Sequence, residues 1–133
     1  MAGTKIFQGK STNLDDVCYL YERQYLYKGR YKFRDKIALI FDGTYFYDDF
    51  FTDDVHILAT FDGNHLYKGK SIEKEAIEFT FRENQVFYGN SIDEKDLAFS
   101  FDGKRFYAGK ISEENVLFTV EGKIELPILV LIA

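Results

Sequence analysis

The chain has no tryptophan, one cysteine, one proline and two histidines in 133 residues. Each scarcity removes a class of protein. One cysteine closes no internal disulfide, so no disulfide scaffold is encoded, and Cys18 aligns with Ala38, Leu58 and Ala98 as a small packing residue. With only His56 and His65, no Ser-His-Asp or Cys-His arrangement stands out. His65 reads as a solvent-facing strand residue. The glycines show neither GxGxxG nor P-loop spacing, which removes the usual phosphate cradles. A net charge of −5 and a pI near 5.0 lack the basic footprint that nucleic acid or an anionic lipid surface requires.

Long apolar runs are also scarce. The first twenty residues hold none of signal-peptide type, which with the unpaired cysteine predicts a cytoplasmic, reducing location. The last ten residues, IELPILVLIA, are too short for a spanning helix, which needs about 20. They read as a buried terminal strand over 124–133, with Pro127 near its start, where a missing N–H is tolerated. The length fits one domain that buries its own core.

Aromatics, by contrast, are abundant: ten Tyr and fourteen Phe. Their placement is periodic. From Lys5 the chain divides into units 5–24, 25–44, 45–64, 65–84, 85–104 and 105–123, of 20 residues except the last, which is one shorter. The third position of successive units is Phe7, Tyr27, Tyr47, Tyr67, Phe87 and Tyr107, and the second is always apolar. Glycine fills the fifth position except in the third unit, where Asp49 stands. Each unit ends on an alternating run such as Ile77, Phe79, Phe81, the period-two signature of a strand. Asp-Gly follows at Asp42-Gly43, Asp62-Gly63 and Asp102-Gly103, a strong hairpin signal, whereas Glu22-Arg23 and Arg82-Glu83 predict turns of other geometry.

Each unit is therefore strand, polar loop, strand, tight turn. The predicted fold is all-β: six 20-residue hairpin repeats plus a terminal thirteenth strand, in an antiparallel meander that closes as a barrel or stacks as a hairpin solenoid. A β-trefoil also uses six hairpins and is the alternative, although it implies a 40-residue period. If the Asp-Gly turns have two residues, Leu66 lies opposite Ala59 on the core face, and Tyr67 points to a second face opposite Leu58.

Units such as FDGNHLYKGKS and FDGKRFYAGKI resemble the short tandem Asp-Gly/Tyr-x-Gly β-hairpin repeats of bacterial proteins that end in a proline followed by aliphatics, as PILVLI does here. No activity is implied by that resemblance. A looser likeness connects the hairpins to membrane-occupation-and-recognition-nexus repeats and choline-binding repeats. The further spaced glycines of the first and the tryptophans of the second are missing, so no site residue carries over.

Candidate sites follow from what departs from the pattern. The column containing Tyr27, Tyr47, Tyr67 and Tyr107 could stack on sugar rings or on a partner's side chains, although an aromatic stripe is more often packing. Phe50 and Phe51, in a loop that is polar elsewhere, join Tyr31 and Phe33 as extra aromatics on the loop side. Asp48, Asp49, Asp53 and Asp54 cluster in YDDFFTDDVH without the glycine and terminal glutamate of a calcium loop. No catalytic, cofactor or metal residue is assigned. The expected function is a non-enzymatic interaction or structural module with a protein partner or a second copy of itself, and no nucleic-acid or membrane partner. A carbohydrate-binding module is the alternative, and a hydrolase with unrecognised carboxylates ranks last.

Overall fold

The computed structural model describes residues 3–48 and 52–133. Among them twelve strands follow one another: β1 (Thr4–Gln8), β2 (Val17–Glu22), β3 (Tyr25–Lys28), β4 (Ile37–Phe41), β5 (Tyr45–Asp48), β6 (Ile57–Phe61), β7 (His65–Lys68), β8 (Ile77–Arg82), β9 (Gln85–Tyr88), β10 (Leu97–Phe101), β11 (Arg105–Ala108) and β12 (Val116–Glu121). Every strand pairs antiparallel with its chain neighbours, and β1 also pairs with β12. The expected meander thus closes into a barrel, and the solenoid and trefoil alternatives fall away.

Each unit's two strands differ in a way the sequence encodes. The longer strand carries a bulge: Leu66 pairs with Phe79 and Tyr67 with Ile77, so Glu78 is the extra residue. The Gly89 amide donates to the Glu78 carbonyl at 2.7 Å, and Gly29, Gly69 and Gly109 do the same for Cys18, Leu58 and Ala98. Gly69 turns the chain into the loop at φ +67°, a conformation that side chains resist. Glycine at the fifth position therefore serves both the bend and the bulge. Cys18, one of these bulge residues, is half-buried, with its Sγ directed at the Ile6 carbonyl, 3.3 Å away.

The register of the tight turns corrects the expected one. Leu66 lies opposite Phe61 and Tyr67 opposite Thr60, two residues from the anticipated partners. The reason is the aspartate, which begins the turn instead of forming its centre: Asp62 Oδ1 accepts from the backbone N–H groups of Asn64 (2.9 Å) and His65 (2.7 Å). A two-residue shift leaves each side chain on its assigned face. Leu66 is accordingly in the core and Tyr67 on the other face. The turns without Asp-Gly keep the same register, with Tyr21 opposite Leu26 and Phe81 opposite Val86. They differ locally, holding Arg23 at φ +60° and Glu83 at φ +57°.

The inner face collects Ile6, Leu26, Phe46, Leu66, Val86 and Phe106, together with Phe41, Phe81 and Phe118. Eight strands enclose a space that side chains alone fill, so twelve leave a wider one. The C-terminal segment occupies it. Residues 124–133 are not a thirteenth strand, because a closed barrel has no edge to extend; instead Leu126–Ile132 form a helix, α1, with Pro127 in its first turn. Ile128, Leu129 and Val130 join the core cluster, and an all-apolar helix suits a site surrounded on every side. Among the described residues no helix is long and apolar enough to cross a membrane.

The seam between first and last units repeats the contacts made elsewhere. Gly9 donates to Leu117, Thr119 Oγ1 donates to the Gly9 carbonyl at 2.6 Å, and Lys10 pairs with Glu113 at 2.7 Å. The Thr4 hydroxyl donates to the Lys123 carbonyl beside it.

Candidate functional site

The turn type decides what becomes of each outward tyrosine. Where the turn begins with aspartate, the carboxylate's second oxygen accepts the phenolic proton five residues on: Tyr47 to Asp42 at 3.1 Å, Tyr67 to Asp62 at 2.7 Å, Tyr107 to Asp102 at 2.6 Å. These rings are buried, flanked by the neighbouring strands on the outer face. Burial raises each of the three carboxylic pKa values, but the hydrogen bonds from two backbone N–H groups and the tyrosine outweigh it, leaving all three lowered. The tyrosines shift upward, Tyr67 and Tyr107 chiefly through the hydrogen bond and Tyr47 chiefly through burial. Phe87 follows Arg82 instead of aspartate and has no hydroxyl to satisfy.

The four tyrosines of the column therefore differ in exposure. Tyr47, Tyr67 and Tyr107 present no free ring face: each is 6–8% exposed and tied at its hydroxyl. They are packing on a second face that the chain itself covers. Phe50 and Phe51 lie outside the described residues.

Tyr27 is the exception. Glu22 stands at the position of the aspartates and is taken by Lys32 at 2.8 Å, a hydrogen bond that lowers its pKa. Among the described residues no side chain holds the Tyr27 hydroxyl, and the ring is half-buried, 6.2 Å from the more exposed Tyr25 at an interplanar angle of 42°. Both residues stand on β3 beside Ile37 and Ile40 of β4. Together with Lys32, Arg34 and Thr52 they line a surface groove of ≈ 440 Å³ between the second and third units.

Equivalent grooves recur around the barrel with different chemistry. One of ≈ 360 Å³ has Tyr45, Thr60 and Lys70, and another of ≈ 410 Å³ has Gln85, Ser100 and Lys110. Thr60 and Ser100 donate to the carbonyls of Gly69 and Gly109 at 2.8 and 2.7 Å. Ile40 occupies the same column and offers only hydrocarbon. The second-unit groove is thus the one with two tyrosines over an aliphatic floor and cations at its rim.

The adjoining loops carry exposed apolar side chains. Tyr31 and Phe33 are 54% and 57% exposed, with rings 5.5 Å apart and the Arg30 guanidinium 5.4 Å from the Tyr31 centroid. Of the acidic residues across the third-unit loop, Asp53 accepts from His56 Nδ1 and Asp54 pairs with Lys70. Among the described residues no cluster of three or more metal-ligating side chains forms.

Sequence reasoning named Tyr27 but missed Tyr25, Ile37 and Ile40 as its company. Two signals pointed there: the loss of Asp-Gly at Glu22-Arg23, and an isoleucine in a column that reads Leu20 in the first unit but Thr60, Thr80, Ser100 and Thr119 from the third onward. Neither the curated proteins nor the solved structures include a significant match to the chain. The sequence pattern of a family described as the 6-fold beta flower protein does match, over residues 6–129, six hairpins closed as six petals, and the chain belongs to that family.

Proposed function

We propose that the protein is a non-enzymatic interaction module that holds a segment of a protein partner in the groove between its second and third units. The carrying observation is Tyr27, the column tyrosine whose hydroxyl no aspartate ties, set with Tyr25 over Ile37 and Ile40. Rigid aromatic anchors on an aliphatic floor with a charged rim match the anatomy of docking sites. Both tyrosines stand on a strand of the closed barrel, so little backbone has to be ordered on binding.

The test is selection of peptides from a random displayed library on the immobilised protein. Enriched sequences that bind the parent but not Tyr25→Ala or Ile40→Thr support the reading. Failure to enrich any such sequence overturns it.

A glycan ligand is the second reading, favoured by the exposed Tyr25 face beside Tyr27. A glycan array whose positive spots vanish with Tyr25→Ala would replace the protein partner by a saccharide. The described lining of the groove carries hydroxyls and cations but no carboxylate pair, so the hydrolase reading ranks last.

A further inference from the structure

The loops that flank this groove differ in sign. Residues 28–36, KGRYKFRDK, place Lys28, Arg30, Lys32, Arg34 and Lys36 against one acid, Asp35, in a chain whose net charge is −5. The third-unit side carries Asp48, Asp53 and Asp54. Each loop also has an apolar tip: Tyr31 and Phe33 on the basic one, and on the acidic one Val55, 85% exposed. Thr52 of the acidic loop and Lys32 of the basic loop meet at the same groove, so the two surfaces are contiguous.

Several of these charges are available. Among the described residues Lys28, Lys36 and Asp48 make no ion pair, while Arg30 and Lys32 sit in solvent-exposed pairs with Asp15 and Glu22. Exposed pairs of this kind exchange partners at little cost.

Two adjacent patches of opposite charge, one tipped by aromatics and the other by valine, are complementary to themselves under a two-fold rotation. We propose that the chain forms a two-fold homodimer in which the basic, aromatic loop of each copy seats on the acidic, Val55-tipped loop of the other. The inference rests on reading the region around the groove as a docking face and names a second copy as what sits on the loops beside it. A polyanion or an anionic membrane would satisfy Lys28 and Lys36 but meet Asp48 and Asp53 on the contiguous surface. A second copy satisfies both signs at once. Tyr31 and Phe33 against Val55 form the dry centre, and the charges form the rim that sets orientation.

Reciprocity supplies the test. Variant one carries Lys28→Glu and Lys36→Glu; variant two carries Asp48→Lys and Asp53→Lys. In sedimentation velocity at low salt the parent is expected to be a dimer and each variant alone a monomer. An equimolar mixture of the variants should restore the dimer, because both of its loop contacts again join opposite charges. Raising salt to about 1 M, where screening acts over about 3 Å, should weaken the parent dimer at least about tenfold. A parent that stays monomeric across the accessible concentrations overturns the inference, as does a dimer that survives either reversal or a mixture that fails to associate. If a double reversal unfolds the chain by circular dichroism, the salt series on the parent decides: a dimer indifferent to salt overturns it. The peptide selection is independent of all of these, so a monomeric parent that still enriches Tyr25-dependent peptides removes the second copy and leaves the docking groove.

Discussion

The phenolic oxygen of Tyr67 lies 2.7 Å from Asp62 Oδ2, while the other oxygen of that carboxylate holds the backbone N–H groups that shape the turn. One side chain thus fixes a turn and a buried ring together. The same arrangement recurs at Asp42–Tyr47 and Asp102–Tyr107.

Removing the hydroxyl alone should cost little beyond the bond. Tyr67→Phe is expected to destabilise by about 1.5–3 kcal/mol, the scale of a hydrogen bond to a charged group. Phe87 already shows that a ring without hydroxyl fits this column. Asp62→Ala should cost more, because two turn N–H groups lose their acceptor as well. Urea unfolding of both variants orders them, and equal losses would contradict the shared role of the carboxylate.

Acid should loosen these turns in a defined window. The folded-state pKa values of Asp42, Asp62 and Asp102 lie below the ordinary 3.8, so their contribution is present above about that pH and is lost as pH falls through the depressed values. Tyr47, Tyr67 and Tyr107 shift the other way: their contribution is whole below pH 10 and is lost as pH rises through the raised values. Thermal melts should show a stability plateau between these limits and a fall on either side. Asn at all three aspartates should flatten the acid limb.

Relieving left-handed backbone should stabilise the chain. Glu83 at φ +57° pays the steric penalty that Gly63 at φ +101° escapes, so Glu83→Gly is expected to raise stability by up to about 1 kcal/mol and Gly63→Ala to lower it by about 1–2 kcal/mol. Denaturant midpoints of the two variants should move in opposite directions.

The barrel's filling can be tested at its centre. Leu129 is fully buried among side chains from the strands, so Leu129→Ala should cost about 2–5 kcal/mol through lost burial and a residual cavity. Removing residues 126–133 should leave β-rich circular dichroism but expose enough inner surface to bind a hydrophobic dye.

Much of this was legible before any coordinates. Twelve strands, their order and the face of each column follow from the 20-residue period and the alternation of Ile77, Phe79 and Phe81. The helix was not legible, because an apolar run such as LPILVLI carries no period, and only closure, a long-range property, removes the edge a strand would need. The register was missed by two residues because Asp62 acts through its side chain, which a turn dipeptide does not reveal. At the site, Tyr27 was named with its column, but its difference depends on Lys32 capturing Glu22, a contact set by the fold of the loop.

Closure also dictates an order of assembly. β1 waits for β12, more than a hundred residues later, and the helix that fills the barrel is made after every strand. During synthesis the first units emerge with both an unpaired edge and an unfilled inner face, and the ring becomes complete only once β12 has left the ribosome. A chain stopped before β12 is therefore a different object from a shortened native protein: an open, unfilled sheet, and the natural target for chaperone capture or proteolysis.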